Sequence, residues 1–472
     1  MNVLRTNETE SLCPVCLKRI KATRVFQNGD VFMIKKCQDH GFFRTIIWRG
    51  NPAMEEWQRT KDPVHPHLTY GTIDQGCPFD CGLCEAHTQL PCSVLLEVTN
   101  RCNLQCSICF ANSGHGQMED ISLEKIRWLL ERAIAAVGQS NLQLSGGEPT
   151  LRDDLPEIVE IARTVGYSFI QVNTNGLRLA ADKDYLQRLS AAGLSSAFLQ
   201  FDGVDDEIYL SLRGRALLSQ KLEAIRNCGE ACIGVVLVPT LVRGTNTDFI
   251  GAIVRQAIQL APTVRGIHFQ PISYFGRFPD KPGDDTRFTL PELMRCLEEQ
   301  TKGLVKVVDF SPPGCEHAHC SFHATYILSA EGRLRPIGAG KEESCCSANF
   351  GPNVAVRKTV ETVSRRWTLP SPTSLSGHLP ILENIPCCGN NSPDATGVEE
   401  PLDLDVFLQE IATRSFTISA MAFQDADNLD LERLRGCCIS VISHDGRLIP
   451  FCAYNLTSRD GNSLYRPGMD VS

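Results

Sequence analysis

The chain has 472 residues, of which 42% are hydrophobic and 21% are charged, and its formal net charge is -9; these values are typical of a globular protein with roughly two to four domains. The acidic balance argues against a nucleic-acid partner, because nucleic-acid-binding proteins normally carry a basic patch. Since no segment has the roughly 18 apolar residues of a membrane span, and the first residues lack the apolar stretch of a signal peptide, the sequence predicts a cytoplasmic protein without a transmembrane segment.

The cysteines are the strongest signal in the composition. There are 22 of them, and most occur as close pairs or triplets rather than singly. In a reducing compartment such groups are more often metal ligands than disulfide partners. The sequence therefore predicts several metal centres.

The first segment, residues 1–70, contains two ligand pairs separated by a strand-like stretch. Cys13 and Cys16 have C-x2-C spacing, and Cys37 and His40 have C-x2-H spacing. Two such pairs on a β-ribbon can bind one metal ion in tetrahedral geometry. We expect zinc, with a mononuclear iron as the second choice, and a hairpin with free thiols is the alternative.

Residues 71–95 form a second cysteine-rich segment. Its cysteines comprise a C-x3-C-x2-C set and one further residue: Cys77, Cys81, Cys84 and Cys92. We expect an auxiliary iron–sulfur cluster in which Cys92 supplies the fourth ligand. His87 is the alternative fourth ligand.

A third set, Cys102, Cys106 and Cys109, repeats the C-x3-C-x2-C spacing directly after an apolar, strand-like run at residues 93–99. Three thiolates on one loop can bind three irons of a [4Fe–4S] cluster and leave the fourth iron open. An open coordination position distinguishes a catalytic metal from a closed structural one. Zinc knuckles also use close cysteine pairs, but only this set is followed by a regular alternation of strands and helices. We therefore predict that it holds the catalytic cluster.

Six strand-like runs alternate with helical patterns from about residue 93 to residue 271. Such alternation requires parallel crossovers and a sheet that is covered on both faces. The sequence therefore predicts an α/β fold, a partial TIM-like (β/α)6 barrel, over residues 96–290. Ligands of such a barrel bind at the carboxyl ends of its strands.

Short polar motifs follow the predicted strands. After the second strand come Gly146, Gly147, Glu148 and Pro149; adjacent glycines allow a ligand to approach the backbone closely, and the carboxylate can accept from an ammonium group. A plain strand-to-helix turn is the alternative. After the third strand and beyond, the candidate contacts to a ribose or a carboxylate are Asn173, Asn175, Gln200, Asp202 and Arg213. Ordinary turns are the alternative for the first four, and a helix cap is the alternative for Arg213.

The last segment, residues 291–472, is predicted as a cysteine-rich domain with two hairpins, at 324–336 and 439–450, and an irregular linker near 369–402. Its adjacent pairs Cys345–Cys346 and Cys387–Cys388 match no ligand pattern. The expected ligands of a C-terminal auxiliary cluster are Cys315, Cys320, Cys452 and either Cys438 or its neighbour Cys437. Structural thiols are the alternative.

These motifs together resemble the radical S-adenosylmethionine (SAM) superfamily. Within it, the run from Cys77 to Phe110, the N-terminal ribbon and residues 447–455 resemble tetraether lipid synthase and related methylase-like proteins. The resemblance implies a SAM-binding [4Fe–4S] cluster, one or two auxiliary [4Fe–4S] clusters and a deep apolar substrate space. It also implies that SAM is cleaved reductively to a 5′-deoxyadenosyl radical, followed by carbon–carbon bond formation or methyl-type transfer at an unactivated carbon.

The substrate class remains open between a small molecule, a lipid and a peptide. The resemblance further implies an electron donor such as flavodoxin or ferredoxin. The alternatives are a radical SAM enzyme that modifies peptides, an iron–sulfur electron carrier without SAM chemistry and a zinc-ribbon interaction module. The motif at residues 146–149 argues against an electron carrier, because such a protein needs no amino-acid site.

Overall fold

The computed structural model describes residues 5–59, 61, 63–66, 68–114, 119–279, 282–329, 331–337, 352–369 and 413–466. Two sheets organise this part of the chain, one of four strands and one of twelve. Residues 370–402 of the expected linker and the pairs Cys345–Cys346 and Cys387–Cys388 lie outside the described residues.

The N-terminal segment is an antiparallel ribbon in which each strand pairs with the next. Its strands are β1 (Arg5–Leu12), β2 (Arg19–Gln27), β3 (Asp30–Cys37) and β4 (Gly41–Arg49). Asn28 and Gly29 join β2 to β3 with positive φ angles of 55° and 85°, the conformation that a tight two-residue hairpin requires. The predicted ribbon is confirmed.

The large sheet contains the remaining strands. They are β5 (Ser93–Thr99), β6 (Asn141–Gly146), β7 (Ile170–Thr174), β8 (Ser196–Gln200), β9 (Gly234–Val238), β10 (Thr240–Leu241), β11 (Val264–Pro271), β12 (Ser321–Leu328), β13 (Leu334–Pro336), β14 (Ser415–Met421), β15 (Ile439–Ile442) and β16 (Leu448–Pro450). Their order is β13-β12-β14-β11-β9-β8-β7-β6-β5-β15-β16, and the short β10 pairs with β11.

Helices follow most of the strands. They are α1 (Leu123–Val137), α2 (Leu155–Val165), α3 (Leu177–Ala181), α4 (Lys183–Ala192), α5 (Asp206–Arg213), α6 (Leu218–Glu230), α7 (Ile250–Gln259), α8 (Leu290–Gln300), α9 (Pro352–Trp367), α10 (Leu431–Arg435) and α11 (Phe451–Asn455). No helix in the described ranges combines the length and apolarity needed to cross a bilayer.

The six predicted parallel strands are β5, β6, β7, β8, β9 and β11, and they pair in that order. The structure adds a parallel strand at each side of this group: β14 beside β11 and β15 beside β5. Both added strands come from the C-terminal segment. The mixed α/β fold is confirmed, and the parallel sheet is wider than the sequence alone indicates. The two predicted hairpins are confirmed as β12–β13 and β15–β16.

The core lies between the outer face of this sheet and its helices. Leu142 and Leu144 of β6 are fully buried in one cluster with Leu129 of α1 and Ile158 of α2. Since side chains alternate between the two faces of a strand, the residues between these leucines point to the inner face of the sheet. The inner face therefore provides the side chains of the candidate site.

Buried polar contacts join the C-terminal segment to the rest of the molecule. Arg287 donates two hydrogen bonds to Asp425, at 2.9 and 2.8 Å, and both side chains are almost completely buried. Lys35 of the ribbon, also buried, donates to the carbonyl of Ala426 at 2.7 Å. The loop after β14 is therefore held from two directions.

We expect Asp425→Ala to lower the free energy of unfolding by about 3–5 kcal/mol, because it leaves the Arg287 charge buried without its partner. Urea unfolding of the anaerobic protein measures this change. Glu230→Ala is the matched control, since Glu230 pairs with Lys183 on the surface and its loss should leave the unfolding midpoint unchanged. A loss no larger than that of the control would contradict the prediction.

Candidate active site and metal centres

The cysteine loop after β5 is fixed by Arg277. The backbone amide of Cys109 donates to the Arg277 carbonyl at 2.9 Å, and the reverse bond is 3.0 Å. The Arg277 guanidinium donates to the Cys106 carbonyl at 2.8 Å. The Cys102, Cys106 and Cys109 thiols are partly buried and line the same cavity. Three thiols on one rigid loop beside a cavity fit the three-cysteine binding mode of a [4Fe–4S] cluster.

That cavity has a volume of about 310 Å³ and lies along the inner face of the parallel sheet. Its lining includes most of the sequence-predicted SAM contacts: Gly146, Gly147, Glu148, Asn173, Asn175, Gln200 and Arg213. Because the strands are parallel, their carboxyl ends lie at one edge of the sheet, where the cysteine loop also lies. The structure thus brings the cysteine loop and the polar motifs together.

The two glycines are required by the close approach of the cysteine loop. Gly146 has a φ of 128°, and a Cβ atom there would lie 2.1 Å from the carbonyl oxygen of Thr99. A Cβ atom on Gly147 would lie 2.3 Å from the carbonyl oxygen of Arg101. Any side chain at either position would push the motif away from the loop that carries the cysteines.

Glu148 connects the loops after β6 and β7. Its Oε1 accepts from the Thr150 amide at 3.0 Å and hydroxyl at 2.6 Å and from the Thr174 hydroxyl at 2.7 Å. Its Oε2 accepts from the Asn175 amide at 2.6 Å. Oε1 is saturated, whereas Oε2 can accept one more hydrogen bond, which suits the ammonium group of an amino acid.

Asp202 and Arg213 form an ion pair, and Arg213 lines the cavity whereas Asp202 does not. Arg213 donates two hydrogen bonds of 2.7 Å to the Asp202 carboxylate, which is fully buried. Asp202 is not among the cavity-lining residues, and this corrects the expectation that it contacts the ligand directly. Its role is to orient Arg213, which also donates to the Ile108 carbonyl of the cysteine loop at 3.4 Å. Pro149 likewise lies outside the lining, in the turn after Glu148.

Lys221 is a site residue that sequence reasoning missed. This fully buried lysine on α6 donates to the Asn175 carbonyl at 2.5 Å and to Gln200 Oε1 at 3.0 Å. Burial lowers the pKa of its ammonium group to about 8. The available signal was its position on the buried face of α6, three residues before Ala224 and seven before Cys228.

The four ribbon ligands meet at one point. His40 Nδ1 lies 3.6 Å from Cys13 Sγ and 3.5 Å from Cys37 Sγ, and Cys16 Sγ lies 3.9 Å from Cys37 Sγ. Tetrahedral ligands at about 2.3 Å from zinc are separated by roughly 3.8 Å. The geometry therefore fits one ion rather than a cluster.

The segment with Cys77, Cys81 and Cys84 has a positively charged environment. The hydrogen-bonded contact between the two thiols lowers the pKa of Cys77, and Arg435 and Arg19 add to this effect. The same contact raises the pKa of the Cys81 thiol, as does burial. Arg435 interacts with Cys77, and Arg447 donates to the Cys81 carbonyl at 3.3 Å. Nearby guanidinium groups favour the thiolate form that binds iron.

The structure corrects the expectation that Cys92 is the fourth ligand of the cluster at residues 77–84. Cys92 Sγ lies 3.5 Å from Cys438 Sγ, and these two atoms and Cys315 Sγ all lie within 4.8 Å of one another. Cys92 directly precedes β5 and Cys438 directly precedes the neighbouring β15, where the Cys92 amide donates to the Cys438 carbonyl at 2.9 Å. These residues are far apart in sequence, so only the strand pairing brings them together.

The expected C-terminal ligand set is therefore divided between two places. Cys315 and Cys438 join Cys92, whereas Cys320 and Cys452 interact with Cys437, the first cysteine of the adjacent pair. Burial raises the pKa of the Cys437 thiol, and the charge of Cys320 adds to this effect; burial and the charge of Cys437 do the same for Cys452. Neighbouring cysteines thus point into different groups. By sequence spacing or by these interactions the described cysteines fall into five triplets, and Cys228, Cys232 and Cys296 belong to none of them. The ligand atoms lie within 4.8 Å of one another in two, the ribbon set with His40 and the set of Cys92, Cys315 and Cys438.

Two family models match this chain. Residues 96–257 match the radical SAM superfamily, and residues 6–49 match the HMPTM N-terminal zinc ribbon domain. The chain belongs to the radical SAM superfamily. It is therefore an enzyme that uses a [4Fe–4S] cluster and SAM, with further metal sites in the ribbon and in the additional cysteine groups.

Among individual relatives, the chain is similar to 7,8-dihydro-6-hydroxymethylpterin dimethyltransferase of Methanocaldococcus jannaschii, with 34% identity over 485 residues that cover 96% of this chain and 94% of the relative. Sporulation killing factor maturation protein SkfB of Bacillus subtilis is 32% identical over 198 residues, 41% of this chain and 46% of that protein. GTP 3′,8-cyclase of Chlorobaculum tepidum is 31% identical over 228 residues, 47% of this chain and 67% of that protein. Only the first of these three similarities extends over nearly the whole molecule.

We expect the double variant Cys92→Ala/Cys438→Ala to lose about four irons per chain relative to wild type, because it removes two of the three thiolates of one buried cluster site. Iron analysis after anaerobic reconstitution measures this loss. Cys228→Ala is the matched control, since Cys228 is buried in α6 away from every cysteine triplet. An unchanged iron content in the double variant would rule out a cluster at this position.

Proposed function

We propose that this enzyme cleaves SAM reductively at a [4Fe–4S] cluster held by Cys102, Cys106 and Cys109. The 5′-deoxyadenosyl radical formed in this way would enable methyl-type transfer to an unactivated carbon of a small molecule. The observation that carries this proposal is the shared cavity of the three thiols and the loop with Gly147 and Glu148. A cluster that binds through three thiolates keeps one iron open for the amino and carboxylate groups of SAM.

The protein's own residues would bind and orient SAM in this site. Glu148 Oε2 would accept from the SAM ammonium group, and the Asn175 and Gln200 amides lie where ribose hydroxyls can be bound. Lys221 donates to the Asn175 backbone carbonyl and to the Gln200 side-chain oxygen, and so holds both residues in place. Arg213 would stabilise the negative charge of the cysteine thiolates. Because its guanidinium already donates two hydrogen bonds to Asp202, it would not bind the ligand in a bidentate manner.

The proposal of methyl-type transfer to a small molecule is supported by the pterin dimethyltransferase, because its similarity covers almost all of both proteins. The similarity to SkfB covers less than half of each chain, so it supports the shared cofactor chemistry more than a peptide substrate. An electron carrier would not need the SAM-binding loop at residues 146–149. We therefore infer a small heterocyclic substrate of the pterin type.

The remaining cysteine groups would serve as auxiliary centres. We propose four functional segments: a metal ribbon at residues 1–70, an auxiliary cluster loop at 71–95, the radical SAM core at 96–290 and an auxiliary-cluster region at 291–472. Reduction of the catalytic cluster would require a low-potential donor such as flavodoxin or ferredoxin. A reducing, cytoplasmic location suits cysteine-bound clusters.

Anaerobic protein supplied with dithionite and SAM should form 5′-deoxyadenosine, measured by liquid chromatography. Cys106→Ala should reduce this product to background, since only two thiolates would remain for the cluster. Cys232→Ser should retain wild-type activity, because this exposed thiol lies outside every cysteine triplet. If Cys106→Ala forms as much product as wild type, the assignment of the catalytic loop is wrong.

Incubation of the reduced enzyme with SAM and 7,8-dihydro-6-hydroxymethylpterin should give a product heavier by one or two methyl groups in place of hydrogen. In this proposal the 5′-deoxyadenosyl radical would remove a hydrogen atom from an unactivated ring carbon and leave as 5′-deoxyadenosine. A second SAM would supply the methyl group and leave as S-adenosylhomocysteine, and dithionite would supply one electron for each SAM consumed. Mass spectrometry measures the product, and omission of dithionite is the control. Formation of 5′-deoxyadenosine with no change in pterin mass would exclude this substrate while leaving SAM cleavage intact.

A further inference from the structure

The cavity extends from the cysteine loop toward the opposite end of the parallel strands. Its lining includes Asn141, the first residue of β6, and Cys92, which precedes β5. Cys102, by contrast, follows β5 and lines the other end. The strands are about 20 Å long at roughly 3.3 Å per residue. A substrate can therefore lie along the inner face of the sheet, between SAM and the amino ends of the strands.

One wall of this deeper region is made of side-chain amides. Gln143 of β6 is in register with Gln171 of β7, and their strand neighbours on the same face are Asn141 and Asn173. All four amides line the cavity. Amides on adjacent parallel strands form a continuous hydrogen-bonding surface.

Three carbonyl oxygens of this surface have no protein partner. Gln171 Nε2 donates to the Ser196 hydroxyl at 3.2 Å, and Asn173 Nδ2 donates to Gln143 Oε1 at 3.2 Å. Within the described residues, the buried oxygens Asn141 Oδ1, Gln171 Oε1 and Asn173 Oδ1 accept no hydrogen bond. Asn141 is 4% exposed and Gln171 is completely buried. A buried acceptor without a donor costs stability unless a ligand supplies that donor.

The surroundings of these oxygens favour a planar, uncharged ligand. His268 also lines the cavity, and burial lowers its pKa to about 4, so it is neutral near pH 7. Phe198 and Trp367 lie beside it with their ring centroids 5.8 Å apart and tilted by 33°. Aromatic faces beside hydrogen-bond acceptors are suited to a flat heterocycle.

We propose that Asn141, Gln171 and Asn173 determine substrate specificity by accepting hydrogen bonds from the N–H groups of a planar, neutral heterocycle. This inference rests on the proposed function, because the heterocycle occupies the space below SAM. An apolar chain would leave all three buried oxygens unpaired, so the same wall selects against a lipid tail. A heterocycle with an exocyclic amino group supplies the missing donors.

The test compares two probes in equilibrium dialysis with the reconstituted full chain and SAM under anaerobic conditions. The probes are 7,8-dihydro-6-hydroxymethylpterin and its analogue with oxygen in place of the exocyclic amino group. We expect wild type to prefer the amino compound by about tenfold or more, because the analogue replaces a donor with an acceptor. Gln171→Met and Asn173→Leu should each reduce this preference several-fold.

Gln259→Met makes the same replacement on the exposed surface of α7 and should keep the wild-type preference. Melting temperatures show whether each variant is folded, and if one variant fails to fold the other decides the test. The inference would be overturned if wild type and both wall variants preferred the amino compound to the same degree. It would also be overturned if neither probe bound to wild type. Formation of 5′-deoxyadenosine by wild type is measured separately, so a failure of SAM cleavage is distinguished from a failure of substrate recognition.

Discussion

The parallel alignment of β5 with its neighbours on both sides is the constraint on which the whole site depends. Parallel strands direct all of their carboxyl ends to one edge of the sheet and all of their amino ends to the other. The loop with Cys102, Cys106 and Cys109 leaves the carboxyl end of β5, and Cys92 enters at its amino end. One strand thus separates Cys92 from the three-cysteine loop, and these four cysteines line a single cavity.

The backbone contact between the loop after β5 and the loop after β6 makes this arrangement rigid. Gly146 and Gly147 touch the carbonyl groups of Thr99 and Arg101, and Glu148 connects the second loop to the third. A ligand held by these loops is therefore positioned by the ends of three strands together. Such preorganisation holds the reacting groups of bound ligands in a defined geometry.

Sequence reasoning succeeds where the determining pattern is local. The six parallel strands follow from hydrophobic runs that alternate with helical periodicity, and the ribbon ligands Cys13, Cys16, Cys37 and His40 follow from two short spacings. The polar motifs lie at strand ends for the same reason. Each of these features is encoded within about ten to twenty residues, so tertiary structure refines it without changing it.

Long-range pairing explains what the sequence could not reveal. Cys92 meets Cys438 only because β15 adds to the edge of β5, 346 residues later. Adjacent thiols also resist prediction, since Cys437 and Cys438 point into different groups. Asp202 looks like a ligand contact by position, but the nearby arginine of α5 satisfies both of its oxygens.

The polarity of the inner face is visible in the sequence, although a strand of a parallel sheet is expected to be apolar on both faces. Asn141, Gln143 and Ser145 alternate with fully buried leucines, a pattern that a strand covered by apolar side chains on both faces would not show. The apolar substrate space implied by the resemblance is therefore interrupted by a polar strip on the inner face of β6 and β7. Because this strip presents unpaired carbonyl oxygens, a ligand that supplies hydrogen-bond donors there removes the cost of leaving them buried without a partner. The proposed polar substrate is thus compatible with a largely apolar cavity, since the inward residues of two strands supply the hydrogen-bond acceptors.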